Sequence, residues 1–135
     1  MNVTLIAAAI GILAGAIGYW VTTFWMQPIL RYRSIRNQIH SDFIYYAQVV
    51  NADGLNEEMQ DLNRERILAN RKSSADLFAI SFELPAWYKL LLKKRNLNPE
   101  QAAKYIIGYS NACEYDNACE LQENIRQLLG LPKEP

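Results

Sequence analysis

The chain has 135 residues, half of them apolar, with 14 basic and 14 acidic side chains and a formal net charge of zero. That balance argues against a nucleic-acid binder held by bulk positive charge, and against a disordered chain. The average hides a segregation, because every charged side chain lies from Arg31 onward.

Val3 to Met26 reads VTLIAAAIGILAGAIGYWVTTFWM and carries no charge. As a helix its roughly 24 residues reach about 36 Å, enough to cross a ~30 Å hydrocarbon core with some tilt. Tyr19, Trp20, Phe24 and Trp25 gather at one end, as interfacial anchors do, and Arg31, Arg33 and Arg36 follow at once. A cleaved signal peptide wants a basic start and a small-residue site beyond the apolar run. Here only Met1-Asn2 precedes the run, and bulky aromatics and arginines follow it. The expectation is an uncleaved anchor over 1–28 in a cell inner membrane. The positive-inside rule then puts the N-terminus outside and a helical domain, 29–130, in the cytoplasm. Ala7, Gly11 and Gly15 fall on one helix face, and small residues at that spacing let two backbones approach closely in lipid. A homo-oligomer through this face is expected. No ionisable residue lies in the span to support a proton relay or a gating charge.

Beyond the anchor, Pro28 predicts a kink or short break. Ile35, Ile39, Phe43, Tyr46 and Val50 then make a helical stripe within Ile29–Ala52, ended by Asn51-Ala52-Asp53-Gly54. Asn56 reads as the N-cap of the next helix, with Glu57 and Glu58 in its first turn; either it runs to about Phe82, bent or straight, or a second helix starts at the capping box Ser73-x-x-Asp76, and the single long helix is preferred. Phe78, Ile80, Phe82 and Leu84 alternate with other residues as a strand would, but a strand lacks a partner here, so helix is preferred. Pro85 opens a short helix, AWYKLLLKKR. Asn98-Pro99-Glu100-Gln101 is the clearest start signal, with Ala103, Ile106, Ile107 and Ser110 on the inner side of the helix it opens. Asn117-Ala118-Cys119-Glu120 repeats the capping box, Leu121, Ile125, Leu128 and Leu129 form the last stripe, and Gly130 and Pro132 stop it. Residues 131–135 read as a flexible tail. The expected fold is all-α: one N-terminal transmembrane helix followed by a small domain of about five helices.

Candidate sites are few. Trp20, Trp25, Arg31, Arg33 and Arg36 fit a membrane interface, with Tyr32 and Tyr45 at headgroup level. Lys89, Lys93, Lys94 and Arg95 form the densest basic cluster; they suit anionic lipid heads or a phosphate-bearing ligand, or simply a helix C-terminus. His40 is the single histidine and has no acid at helical spacing on its face. Cys113 and Cys119 lack the further ligands a zinc site needs. Glu114, Asp116, Glu120 and Glu123 are better explained by helix starts than by a cation. Asn111 reads as a buried hydrogen-bond anchor between helices. No phosphate loop, nucleophile elbow or metalloprotease motif occurs, so no catalytic residue, cofactor or metal is assigned.

From Arg71 to Asn111, the residues Ser74-Ala75-Asp76-Leu77, Leu84-Pro85, Tyr88, Leu91, Pro99, Ala102-Ala103 and Ile106-Ile107-Gly108-Tyr109-Ser110-Asn111 stand out. This third of the chain resembles uncharacterised bacterial small single-span membrane proteins with a helical cytoplasmic domain. The resemblance implies a bacterial inner-membrane location and no mechanism. The expected role is a non-enzymatic scaffold that self-associates and binds an unidentified protein partner at the lipid bilayer. The alternative is an anchored sensor or defence effector whose cytoplasmic domain binds a phosphate-bearing ligand.

Overall fold

The computed structural model describes residues 2–50, 54, 56–112 and 114–133. Among these, all regular structure is helical: α1 (Val3–Val21), α2 (Gln27–Tyr45), α3 (Glu57–Glu83), α4 (Ala86–Lys94), α5 (Pro99–Asn111) and α6 (Tyr115–Leu129).

α1 and α2 are one rod. A π-helical turn, Thr22–Met26, joins them, so Val3–Tyr45 forms a continuous 43-residue helix. The break expected at Pro28 is absent. Pro28 has no N–H to offer the preceding turn, and the wider π turn just upstream, with the Gln27 N–H donating to the Thr22 carbonyl, takes up the mismatch. Thr22 Oγ1 adds a bond to the Gly18 carbonyl at 2.8 Å.

α2 stops at Tyr45, short of the expected Ala52, and a 3-10 turn follows at Ala47–Val49. The reason is geometric. In an α-helix Val49 falls to one side of the Ile39–Phe43–Tyr46 stripe, whereas a 3-10 turn eclipses residues three apart and swings it inward. Val49 is fully buried as a result. The stop signal at 51–53 lies outside the described residues, but Gly54 has the left-handed φ of +74° expected of it.

α3 is the single long helix that the sequence predicts. Asn56 Oδ1 accepts the Met59 N–H at 2.9 Å, and the stretch with strand-like alternation is helical to Glu83. Its buried stripe is Arg66, Asn70, Ser73, Ser74, Leu77 and Ile80. The polar half of that stripe contacts α5 directly, with Ser74 Oγ donating to the Ala103 carbonyl at 2.6 Å. Small side chains on both helices permit that approach.

Pro85 caps α4 rather than occupying its first turn; its carbonyl accepts from the Tyr88 and Lys89 N–H groups. Asn96 ends the segment at φ +57°, with the Leu97 N–H closing onto the Leu92 carbonyl. At α5, Asn98 Oδ1 accepts the Gln101 N–H at 3.0 Å and Pro99 takes the first position, as predicted. Ala102, Ala103, Ile106, Tyr109 and Ser110 are buried, but Ile107 is about half exposed because it lies to one side of that stripe.

α6 corrects the expected cap at Asn117. The helix starts at Tyr115 with Glu114 at the N-cap, and Asn117 is already in its first turn. The Ala118 N–H already donates to the Glu114 carbonyl at 3.0 Å, which encloses Asn117 in that turn, and Ala118, Gln122, Ile125 and Leu129 form one buried stripe. Gly130 ends the helix at φ +64°, with the Leu131 N–H donating to the Arg126 carbonyl at 2.9 Å. The tail is therefore not loose at its start: Leu131 packs against the core and the Pro132 carbonyl accepts from Arg126 at 2.8 Å. Glu134 and Pro135 lie outside the described residues.

Candidate functional site

No residue of α1 is buried, and its apolar side chains stand exposed, such as Val3 at 82% and Ile12 at 73%. This helix is long and apolar enough to cross a membrane. Its partner end is aromatic. Trp20 contacts Phe24 and Trp25 at centroid distances of 5.7 and 5.5 Å. Trp25 meets Trp87 of α4 at 6.0 Å, Trp87 meets Tyr88 at 5.7 Å, and Tyr88 meets Tyr32 at 6.1 Å. A ladder of rings thus ties the end of the apolar helix to α4. Arg31 adds an ion pair to Glu83 at 3.7 Å, with both side chains more than half exposed. Tyr32 departs from expectation: it is fully buried in the domain core, because it faces α4 rather than open solvent. Tyr45 and Arg33 are exposed, and Arg36 is half-buried.

α4 is two-faced. Tyr88 and Leu92 turn to the core, while Trp87, Leu90 and Leu91 stand exposed at i, i+3 and i+4. Of the basic cluster, Lys89 donates to the Phe82 carbonyl at 3.3 Å. Lys89 and Lys93 line a groove of about 350 Å³ together with Glu100, which opposes an anion there. Lys94 and Arg95 do not line this groove, so it does not gather all four cations as a phosphate pocket would.

Ala7, Gly11 and Gly15 lie exposed on α1, and a Cβ added at either glycine meets nothing within 4 Å. The small-residue face is open.

The remaining sites resolve into packing. Two arginines, Arg66 and Arg126, are each only 2% exposed, which the sequence did not signal. They are held by π faces and carbonyls. Arg66 lies 5.1 Å from the Tyr109 ring centroid and donates to the Tyr109 carbonyl at 3.4 Å. Tyr109 meets Phe43 edge-on at 5.1 Å, and Arg126 lies 5.4 Å from the Phe43 ring. The only available hint was spacing: Arg66 continues the Asn70–Ser74–Leu77 stripe, and Arg126 adjoins Ile125 and Leu129. His40 also belongs to this cluster; its Nδ1 accepts from Arg126 Nη1 at 3.0 Å. Asn111 is exposed rather than buried, yet it does bridge helices, accepting from Arg71 Nη2 at 3.1 Å. Cys119 is exposed and Cys113 lies outside the described residues. Glu114, Asp116 and Glu120 are exposed, Glu123 is half-buried, and among the described residues no three His, Cys, Asp or Glu side chains converge.

No protein family, curated protein or solved structure matches this chain. What the molecule does must therefore be argued from its own geometry. That geometry offers an uncovered apolar rod, a packed helical domain fixed to it, and an aromatic junction between the two. It also offers an open groove of about 670 Å³ between α3 and α5, where Phe78 and Ile107 sit with Arg71 and Lys104.

Proposed function

We propose that the chain is a single-pass inner-membrane protein whose helical cytoplasmic domain is an interaction scaffold, held at the bilayer and self-associating through the anchor. One observation carries this reading: α1 is uncharged, wholly unburied and continuous with α2, whose other end is built into the domain core. An apolar helix covered by nothing in its own chain needs an apolar environment elsewhere, and a bilayer supplies one of matching thickness. Arg31, Arg33 and Arg36 just beyond the aromatic end support the N-out, C-in orientation. Confinement to a plane raises the effective concentration of weakly interacting domains, which suits a scaffold. No catalytic group is assigned, since His40 is engaged by Arg126 rather than by a carboxylate.

The test uses the exposed Cys119 in a Cys113→Ser background. A membrane-impermeant maleimide should label it in inverted membrane vesicles and not in right-side-out ones. Labelling in right-side-out vesicles overturns the orientation, and recovery of the unlabelled chain in the soluble fraction overturns the anchor.

A further inference from the structure

The junction between α1 and α4 suggests more than a tether. In the anchor reading, on which this inference rests, the aromatic residues at the end of the span mark the membrane–water interface. Trp87 touches Trp25 at 6.0 Å, so the first turn of α4 stands at that same level. Tyr88, one residue on, reaches Tyr32, about two turns further along the rod. α4 therefore lies beside the point where the rod leaves the apolar segment.

At that level α4 shows the wrong surface for water. Leu90 is 67% exposed, Trp87 47% and Leu91 36%, and all three share one face. Phe82, just before α4, is 64% exposed, and Met26 and Leu30 on the rod are about half exposed. Lys93 and Lys94 flank the α4 face from the last turn. Of the nearby acids, Glu83 pairs with Arg31 and Glu100 lines the groove with Lys89 and Lys93, so Lys94 is the last-turn cation that does not share a groove with an acid. An apolar face of Trp and Leu edged by lysines is the composition of a helix lying in the headgroup region. The lysine stems can cover apolar surface while their heads reach phosphate.

We infer that α4 is a second membrane contact: its Trp87–Leu90–Leu91 face enters the interface of the bilayer crossed by α1, with Lys94 on an anionic lipid headgroup. The domain is thereby held in one orientation against the membrane rather than swinging on the anchor. The rigid rod and the ring ladder fix the geometry, and lipid completes it. An exposed basic residue is attracted to an anionic surface, so Lys94 favours an anionic leaflet.

Nitroxide labels read this directly in the full-length chain reconstituted into vesicles of phosphatidylcholine with phosphatidylglycerol. Single labels are placed on Leu90→Cys and on Ile12→Cys, each in a Cys113→Ser, Cys119→Ser background, and on native Cys119 with Cys113→Ser. Collision with oxygen against collision with a water-soluble nickel chelate reports depth. The expected result is an oxygen-to-nickel ratio several-fold higher at Leu90→Cys than at Cys119, falling when Lys94→Glu is added. A ratio at Leu90→Cys equal to that at Cys119, with Ile12→Cys deep in lipid, overturns the α4 contact alone. Water-like behaviour at Ile12→Cys overturns the anchor itself.

Discussion

Phe43 is where the interior of the domain is most tightly coupled. It packs edge-on to Tyr109 on one side and carries the Arg126 guanidinium on its face on the other, and Arg66 sits over Tyr109. Desolvating a cation is costly, and here ring quadrupoles, carbonyls and His40 offset the cost where a carboxylate would ordinarily do so. Truncating Phe43 thus removes apolar volume and one face of this arrangement together. Phe43→Ala should lower unfolding stability by about 3–5 kcal/mol, measured by denaturant titration of the detergent-solubilised protein. Tyr46 gives a pH signature. Burial pushes its phenol above the ordinary value of 10.0, and Asp42, Glu65 and Tyr45 push the same way. The folded state holds this proton more tightly than the unfolded one. The resulting stability is complete below pH 10.0 and is lost as pH rises through the raised folded value. Tyr46→Phe should leave stability near neutral pH little changed and flatten the alkaline decline, which melting curves taken across that range will show.

The helix boundaries separate real caps from apparent ones. Asn98 and Asn56 each accept a backbone N–H three residues on, so each satisfies a donor that the helix start leaves open. Asn117 carries the same sequence signature but sits within the first turn of α6. Asn98→Ala should therefore cost about 1 kcal/mol. Asn117→Ala, at an exposed position without a capping role, should stay within about 0.5 kcal/mol of wild type. Equal losses in the two variants would contradict this assignment. At the other end of α6, Gly130 needs its left-handed φ, and a Cβ there would come to 3.3 Å from Leu97, so this stop is fixed by both backbone and packing. The Asn98 N–H meanwhile bonds the Leu128 carbonyl at 2.9 Å, which ties the start of α5 to the end of α6.

For the molecule as a whole, the decisive feature is the unbroken rod from Val3 to Tyr45. A flexible linker would let the domain orient independently of the apolar helix, whereas a helix that enters the core at Tyr32, Ile39 and Phe43 transmits any rotation of the apolar segment directly to it. The exposed Arg31–Glu83 pair adds at most about 1 kcal/mol to this coupling, so the ring contacts and core burial do most of the holding. Association in the membrane plane would then set domains in a defined mutual orientation. Gly11→Ile with Gly15→Ile should reduce cross-linked dimer in membranes without altering the fold, because neither added side chain meets another part of the chain. Unchanged cross-linking would show that association, if it occurs, uses another surface.

Much of this architecture was legible from local pattern. The charge-free run ending in aromatics and arginines gave the apolar helix. Asn56, Asn98 and Gly130 marked boundaries, because a capping side chain or a left-handed turn is a property of a few adjacent residues. Three things could not be read that way. Arg66 and Arg126 carry no local signal of burial, since only packing supplies the Tyr109 and Phe43 rings that let them be buried. Asn117 looked like a cap, since the bond from the Ala118 N–H to the Glu114 carbonyl that places it inside the helix leaves no mark in the capping pattern. The four cations of 89–95 looked like one cluster, since linear proximity says nothing about which of them line one groove. The sequence by itself determined the elements and the segregation of an apolar rod from a charged domain, because these follow from short-range periodicity and composition. Only the tertiary structure decided that α4 lies beside the end of the apolar helix. That placement depends on the contacts of Trp25 with Trp87 and Tyr32 with Tyr88, between residues far apart in the chain.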